Sequence, residues 1–149
     1  MEIKMQPPVK VMYTTVKTTL LDMEQYVGKT PMALKEECER LGLTTNGLQH
    51  WVYFGASGDP HNEFELQICL EVEGEAPSDK YQFQELPEFK CVTTMHIGSW
   101  DNFAATYEKF VPQIGVEGHT LSNVSREVYL TVDFDNPENN RTEIQVGVV

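Results

Sequence analysis

Four residues on two short segments have the types and spacing to hold an organic molecule. Trp51 and Tyr53 lie in Gly47–Gly55 (GLQHWVYFG), and Glu127 and Tyr129 in Arg126–Phe134 (REVYLTVDF). Members of each pair are two positions apart, so on a strand they share a face. Trp and Tyr offer flat apolar area with a polar tip. Each ring set beside a cation adds attraction of about 0.5–2 kcal/mol. A carboxylate among such rings attracts a cation, and desolvation raises its pKa toward that of a general base. The same spacing equally fits a second core layer with Glu127 as a solvated strand residue. Spacing alone leaves both readings open.

Other chemistries find less support. Cys38, Cys69 and Cys91 form no CxxC pair and sit in apolar periodic segments, as small buried hydrophobes do. His50, His61, His96 and His119 lack ligand-type spacing, so neither a metal nor a cofactor is expected. The net charge of −12 repels phosphate backbones, so direct nucleic-acid binding is not expected, and it favours cations at long range. No apolar run has the length of a membrane span, and MEIKMQPPVK contains no signal-peptide core. The expected setting is the cytoplasm, without membrane association.

The elements that must position these residues follow from periodicity. The 149 residues suit one domain, residues 1–149. Val9 to Val16 is β-branched and reads as a strand. Thr30-Pro31 reads as the cap and first turn of a helix carrying Leu34, Cys38 and Leu41 on one face and ending at Gly42. Gly47–Gly55 and Glu63–Val72 read as two strands, and Glu73–Asp79 (EGEAPSD) as a linker. The order then repeats. Phe89–Ile97 is a strand, and Ser99 caps a helix carrying Trp100, Phe103, Ala104, Tyr107, Phe110, Val111 and Ile114. Pro112 should shorten or bend its last turn. Arg126–Phe134 and Thr142–Val149 are the closing strands.

The halves, about 1–76 and 77–149, can be laid on each other. Val9-Lys10-Val11-Met12 matches Phe89-Lys90-Cys91-Val92, and Leu41-Gly42-Leu43 matches Ile114-Gly115-Val116. His50 to Phe54 matches Arg126 to Leu130, and Phe64 to Ile68 matches Thr142 to Val146. Four ordered matches indicate a duplicated strand–helix–strand–strand unit. The expected fold is α+β, with pseudo-two-fold symmetry and an antiparallel sheet bearing both helices on one side. Val52, Phe54, Val128, Leu130, Val132 and Phe134 form the more apolar strand faces. They are expected to meet the helices, leaving Trp51, Tyr53, Glu127 and Tyr129 on the far side.

His96-Ile-Gly98-Ser-Trp100, followed by Phe103, Tyr107 and Phe110, resembles a family pattern of His-x-Gly-x-aromatic leading into a helix. Glu127-Val-Tyr129-Leu and the closing Thr142-Glu-Ile-Gln-Val146 resemble its later strands. Together these resemble the GyrI-like effector-binding family, which includes ligand-sensing domains of multidrug-responsive and AraC-type activators. The resemblance implies a central aromatic pocket with an acid that attracts lipophilic, often cationic, molecules. That acid falls on Glu127, and the lining on Trp51, Tyr53, Tyr107 and Tyr129. His96 and Gly98 are expected to serve strand-to-helix geometry. Strand one begins at Val9, so a stand-alone domain without a DNA-binding module is expected. The final strand has Val146-Gly147-Val148 where the family commonly has a proline.

The expected function is capture or sensing of a small organic ligand. Two alternatives accompany it. Some GyrI-like proteins are hydrolases that open strained rings in natural products, and Glu127 would then activate water. Others act on a protein partner, as the gyrase inhibitor does; here such a partner is unknown. No second acid or base accompanies Glu127 on its strand pair, which favours binding over catalysis.

Overall fold

The computed structural model describes residues 1–149. Its strands are β1 (Lys4–Gln6), β2 (Val9–Thr18), β3 (Gln49–Phe54), β4 (Phe64–Glu71), β5 (Gln82–Leu86), β6 (Phe89–Ile97), β7 (Leu121–Thr131) and β8 (Arg141–Val148). The helices are α1 (Lys29–Arg40) and α2 (Phe103–Val116). One antiparallel sheet runs in the order β1-β6-β8-β7-β3-β4-β2-β5.

That order is a palindrome of the two halves. β6-β8-β7 mirrors β2-β4-β3, and β7 pairs with β3 at the centre. The leading strands exchange: β1, which precedes β2, pairs with β6, while β5, which precedes β6, pairs with β2. The halves therefore interlock, and the boundary between them is not a hinge in space. β1 and β5 escape sequence reading. One has three residues, and the other (QFQEL) alternates too weakly to rise above its polar neighbours.

Hydrogen bonds fix the internal alignment. Leu43 N donates to Cys38 O at 3.1 Å, and His119 N to Ile114 O at 3.2 Å. Glu73 N donates to Thr44 O at 2.9 Å, and Val149 N to Thr120 O at 2.8 Å. Gly47 (φ 81°) has as its counterpart Asn123 (φ 65°), the one non-glycine residue at positive φ. Asn tolerates this left-handed conformation better than most side chains. All these pairs, with Trp51/Glu127 and Ile68/Ile144, share one offset. The match of His50–Phe54 to Arg126–Leu130 is thus correct. The true counterpart of Ile68 is Ile144 rather than Val146, and that of Leu41-Gly42-Leu43 is Glu117-Gly118-His119. The sequence match slipped by two residues on a strand and three on a helix. Those shifts preserve the apolar periodicity, which is why similarity alone did not detect them.

Both helices cover one face of the sheet, but it is not the expected one. Leu34 and Cys38 of α1 pack in a cluster with Trp51, Tyr53, Leu66 and Ile68. Ile114 of α2, flanked by Tyr107 and Phe110, packs on Val92, Ile144 and Val146. Residues directly paired across strands share a face. Trp51 pairs with Ile68 and Glu127, and Glu127 with Ile144, so all lie under the helices. The parity of each strand was right and the covered face was inverted. Leu130, Val132 and Phe134 stay exposed, because pairing shifts after Tyr129 and the strand ends at Thr131. On the far face Val11, Val52, Cys69 and Leu86 form a separate cluster made possible by β5. Parity marks that face as apolar through Val52 and Phe54, and without β5 in view the helices are the only cover the sequence offers it.

The helix termini differ in detail. α1 starts at Lys29 behind Gly28, so Thr30 is inside the helix. Ser99 accepts from Asp101 N and opens a short 3₁₀ turn, Trp100–Asn102, ahead of α2. Pro112 lies within α2, which nonetheless continues to Val116.

Candidate binding site

Glu127 occupies the centre of the sheet, directly opposite Trp51 across the β3–β7 pair. The two are each other's counterparts, so the pseudo-two-fold axis passes between them. Symmetry is kept by Tyr53 and Tyr129, which flank the axis. It is broken on the axis, where one half supplies an indole and the other a carboxylate.

Three phenol hydroxyls converge on that carboxylate. Tyr53 and Tyr129 donate to Oε1, and Tyr107 donates to Oε2, each at 2.6 Å. β3 contributes Tyr53, β7 Tyr129 and Glu127, and α2 Tyr107. Glu127 is 3% exposed, Trp51 3% and Tyr53 5%. Burial pushes the Glu127 carboxyl above its usual range, against the tyrosine hydrogen bonds that pull it down. Burial, then the neighbouring Glu127 charge, hold Tyr53, Tyr107 and Tyr129 well above the ordinary phenol range. All three therefore remain neutral donors near neutral pH. Three phenol donors suit an anion, and they leave one of the carboxylate's roughly four lone-pair positions, on Oε2, unfilled.

Aromatic rings surround the cluster. Trp51 meets Tyr129 edge-on with centroids 5.7 Å apart, and Trp100 meets the same ring at 5.4 Å. Phe64 lies 5.7 Å from Tyr53, and Phe103 lies 6.4 Å from Tyr107. Trp100 Nε1 donates to Thr142 Oγ1 at 3.2 Å, anchoring its indole on β8. Beside Tyr129 across the pair sits Gln49, 6% exposed, whose Oε1 and Nε2 have no hydrogen-bond partner. A buried amide in that condition costs about 1–3 kcal/mol.

All five sequence-selected residues, Trp51, Tyr53, Tyr107, Glu127 and Tyr129, thus fall in one cluster. Sequence reading missed Trp100, Phe64 and Gln49. Trp100 was visible in the His-x-Gly-x-aromatic pattern, but helical periodicity explained it as core. Gln49 carried no signal, since its burial depends on pairing opposite Tyr129. His96 has local partners: Nε2 lies 2.8 Å from Ser99 O and Nδ1 2.7 Å from Thr106 Oγ1, with Phe103 edge-on at 4.6 Å. These ties join β6 to the start of α2, and Gly98 at φ 115° makes the turn between them. No group of three or more His, Cys, Asp or Glu side chains is placed to hold a metal. No helix is long and apolar enough to cross a membrane.

The Glu127 carboxylate and Tyr53 are buried, while Tyr107 and Tyr129 are half-buried. A cavity of about 350 Å³ lies on the sheet's far face and another of about 220 Å³ beside Tyr13 and Tyr81; neither is lined by Glu127.

A curved antiparallel sheet, two helices on one face and a buried polar centre among rings define a small-molecule-binding α+β domain. The chain belongs to the GyrI-like family, its residues 1–149 matching the GyrI-like small molecule binding domain. Among solved structures it is similar to the EcmrR C-terminal domain, with 21% identity and a TM-score of 0.82 over 99% of this chain and 96% of that one. The likeness extends to EcmrR in an EcmrR–DNA complex, also at 21% identity and 0.82; there 99% of this chain spans 56% of that one, about half its length. SAV2435 bound to tetraphenylphosphonium matches at 15% identity and 0.68, over 99% of this chain and 93% of that one. A hydrolase encoded by lin2189 from Listeria innocua matches at 13% and 0.61, over 99% and 91%. No curated protein matches the sequence.

Proposed function

We propose that this domain captures a lipophilic organic cation at Glu127, with Tyr53, Tyr107, Tyr129 and Trp51 as its immediate surroundings. The observation that carries this reading is a buried carboxylate held by three neutral hydroxyls, with no cation beside it. An ion pair at about 4 Å gains roughly 1 kcal/mol in water and about 4 kcal/mol at an effective dielectric near 20. Burial thus makes Glu127 a stronger attractor than any surface acid. The tyrosines hold the carboxylate until a cation arrives, and the rings then add their own attraction. Support comes also from the family and from a fold shared with a protein bound to tetraphenylphosphonium.

Entry requires the cover to move. α2 carries Tyr107 and has Ile114 as its one fully buried residue, whereas α1 buries Leu34, Glu37 and Cys38. α2 is the less firmly held lid. Isothermal titration with tetraphenylphosphonium and a panel of dye-like cations tests the reading. Saturable binding is expected, and failure of every member to bind contradicts it. With a net charge of −12, the domain itself is expected to show no duplex DNA affinity at physiological salt.

A hydrolytic reading has two observations in its favour. The upward push on Glu127 moves it toward the range of a general base, and two structural neighbours are described as hydrolases. Under that reading Glu127→Gln abolishes turnover of a strained-ring substrate while its binding persists.

A further inference from the structure

Arg126 precedes Glu127 on β7, so its side chain leaves the sheet on the face away from the helices. It is 4% exposed, and no carboxylate lies within ion-pair distance. One amino group donates to the Pro87 carbonyl at 3.1 Å, and the guanidinium rests over the Phe89 ring, 4.2 Å from its centroid. Nε has no hydrogen-bond partner. Guanidinium stays charged under all ordinary conditions, so this is a buried cation with neither counter-ion nor full hydrogen bonding. Leaving such a group unpaired is costly, and proteins ordinarily pair or exclude it.

The same side chain lines the cavity of about 350 Å³ on this face. Val52, Phe54, Leu86, Phe89 and Val124 supply apolar wall. The volume falls at the small end of ligand pockets. Both halves build it, through β3 and β7 at the centre and the connection from β5 to β6. A charged donor set into an apolar hollow is the arrangement that recognises an amphipathic anion. A carboxylate can take both Nε and an amino group of a guanidinium in a bidentate fork.

We propose that this cavity is a second ligand site, separate from the Glu127 cluster, for a small carboxylate carried on an apolar body. Arg126 holds the carboxylate, and the body lies against Phe54, Leu86 and Val124. The strongly negative molecule repels anions at long range, so selectivity rests on the Arg126 guanidinium and on apolar fit.

The test uses 1-naphthoate and its neutral amide as probes of the full chain, followed by methyl and aromatic NMR. Naphthoate should shift Phe54, Phe89 and Val124 saturably, with the amide at least about tenfold weaker. Arg126→Met should weaken naphthoate by about tenfold or more, and Arg126→Lys should recover part of the loss. Should Arg126→Met fail to fold, the wild-type acid-to-amide ratio and the map of shifted residues decide the matter. Equal affinity for acid and amide, shifts centred on Trp51 and Tyr129, or no saturation below about 1 mM would overturn the proposal.

Discussion

Glu127 and Arg126 are neighbours on one strand, and both are charged and more than nine-tenths buried, yet their surroundings are opposites. The carboxylate faces a cluster in which three hydroxyls donate to it. The guanidinium faces a hollow with a ring, one carbonyl and an unpaired nitrogen. The contrast separates two ways of burying charge. On the helix face, side chains supply the hydrogen bonds and packing is tight. On the far face, the protein leaves the charge partly unmet and the space partly unfilled. A sheet can thus carry two unlike environments one residue apart, because alternation insulates its faces.

The largest effects should separate packed from open ground. Ile68 is fully buried beside Trp51 across the β3–β4 pair, and Ile68→Ala should cost about 2–5 kcal/mol in urea unfolding. Val124 borders the hollow, and Val124→Ala should cost well under about 1 kcal/mol. Comparable losses at both sites would show that Val124 belongs to the packed cluster of the far face and not to the wall of a cavity.

The polar centre should respond next. Tyr107→Phe removes the one donor to Oε2 and should cost about 1.5–3 kcal/mol, the range for a hydrogen bond to a charged group. Tyr13→Phe removes an exposed bond to Gln82 and should cost less than about 0.5 kcal/mol. A negligible loss at Tyr107 would mean that α2 holds its place without the carboxylate.

The pH dependence sharpens the same contrast, with a sign fixed by the direction of the Glu127 shift. Burial raises its folded pKa, so the folded chain binds this proton more readily than the unfolded chain does. The stabilisation linked to it is complete below the ordinary carboxylate range and is lost as pH rises through the folded value. Glu127→Gln removes that loss. Its stability relative to wild type should therefore climb from about pH 4 to about pH 8. A fall over the same interval would show that the three tyrosines outweigh burial and hold the carboxyl down.

Much of this was legible before the fold was known, and the rest was hidden for physical reasons. Two-residue spacing placed Trp51 with Tyr53 and Glu127 with Tyr129, and the duplication placed the pairs together. Helical periodicity marks Tyr107 as core, and only the family resemblance marks it as a lining residue. Which face the helices cover was not legible. The apolar run from Val128 to Phe134 pointed one way, while the strand's early end exposed most of it. The Arg126 hollow depends on β5, whose weak alternation concealed both the strand and the wall it forms.

One measurement tests the central claim most directly: the affinity of Glu127→Gln for tetraphenylphosphonium, beside its affinity for the neutral triphenylphosphine oxide. The variant keeps the shape of the carboxylate, and Tyr107 can turn its hydroxyl to accept from the new amide. It should bind the cation about 10–100-fold more weakly, about 1–3 kcal/mol, and the neutral compound almost unchanged, with folding stability equal to or above wild type. Equal loss for both compounds, or several kcal/mol of lost stability, would make Glu127 a structural keystone and contradict its role as the cation's partner.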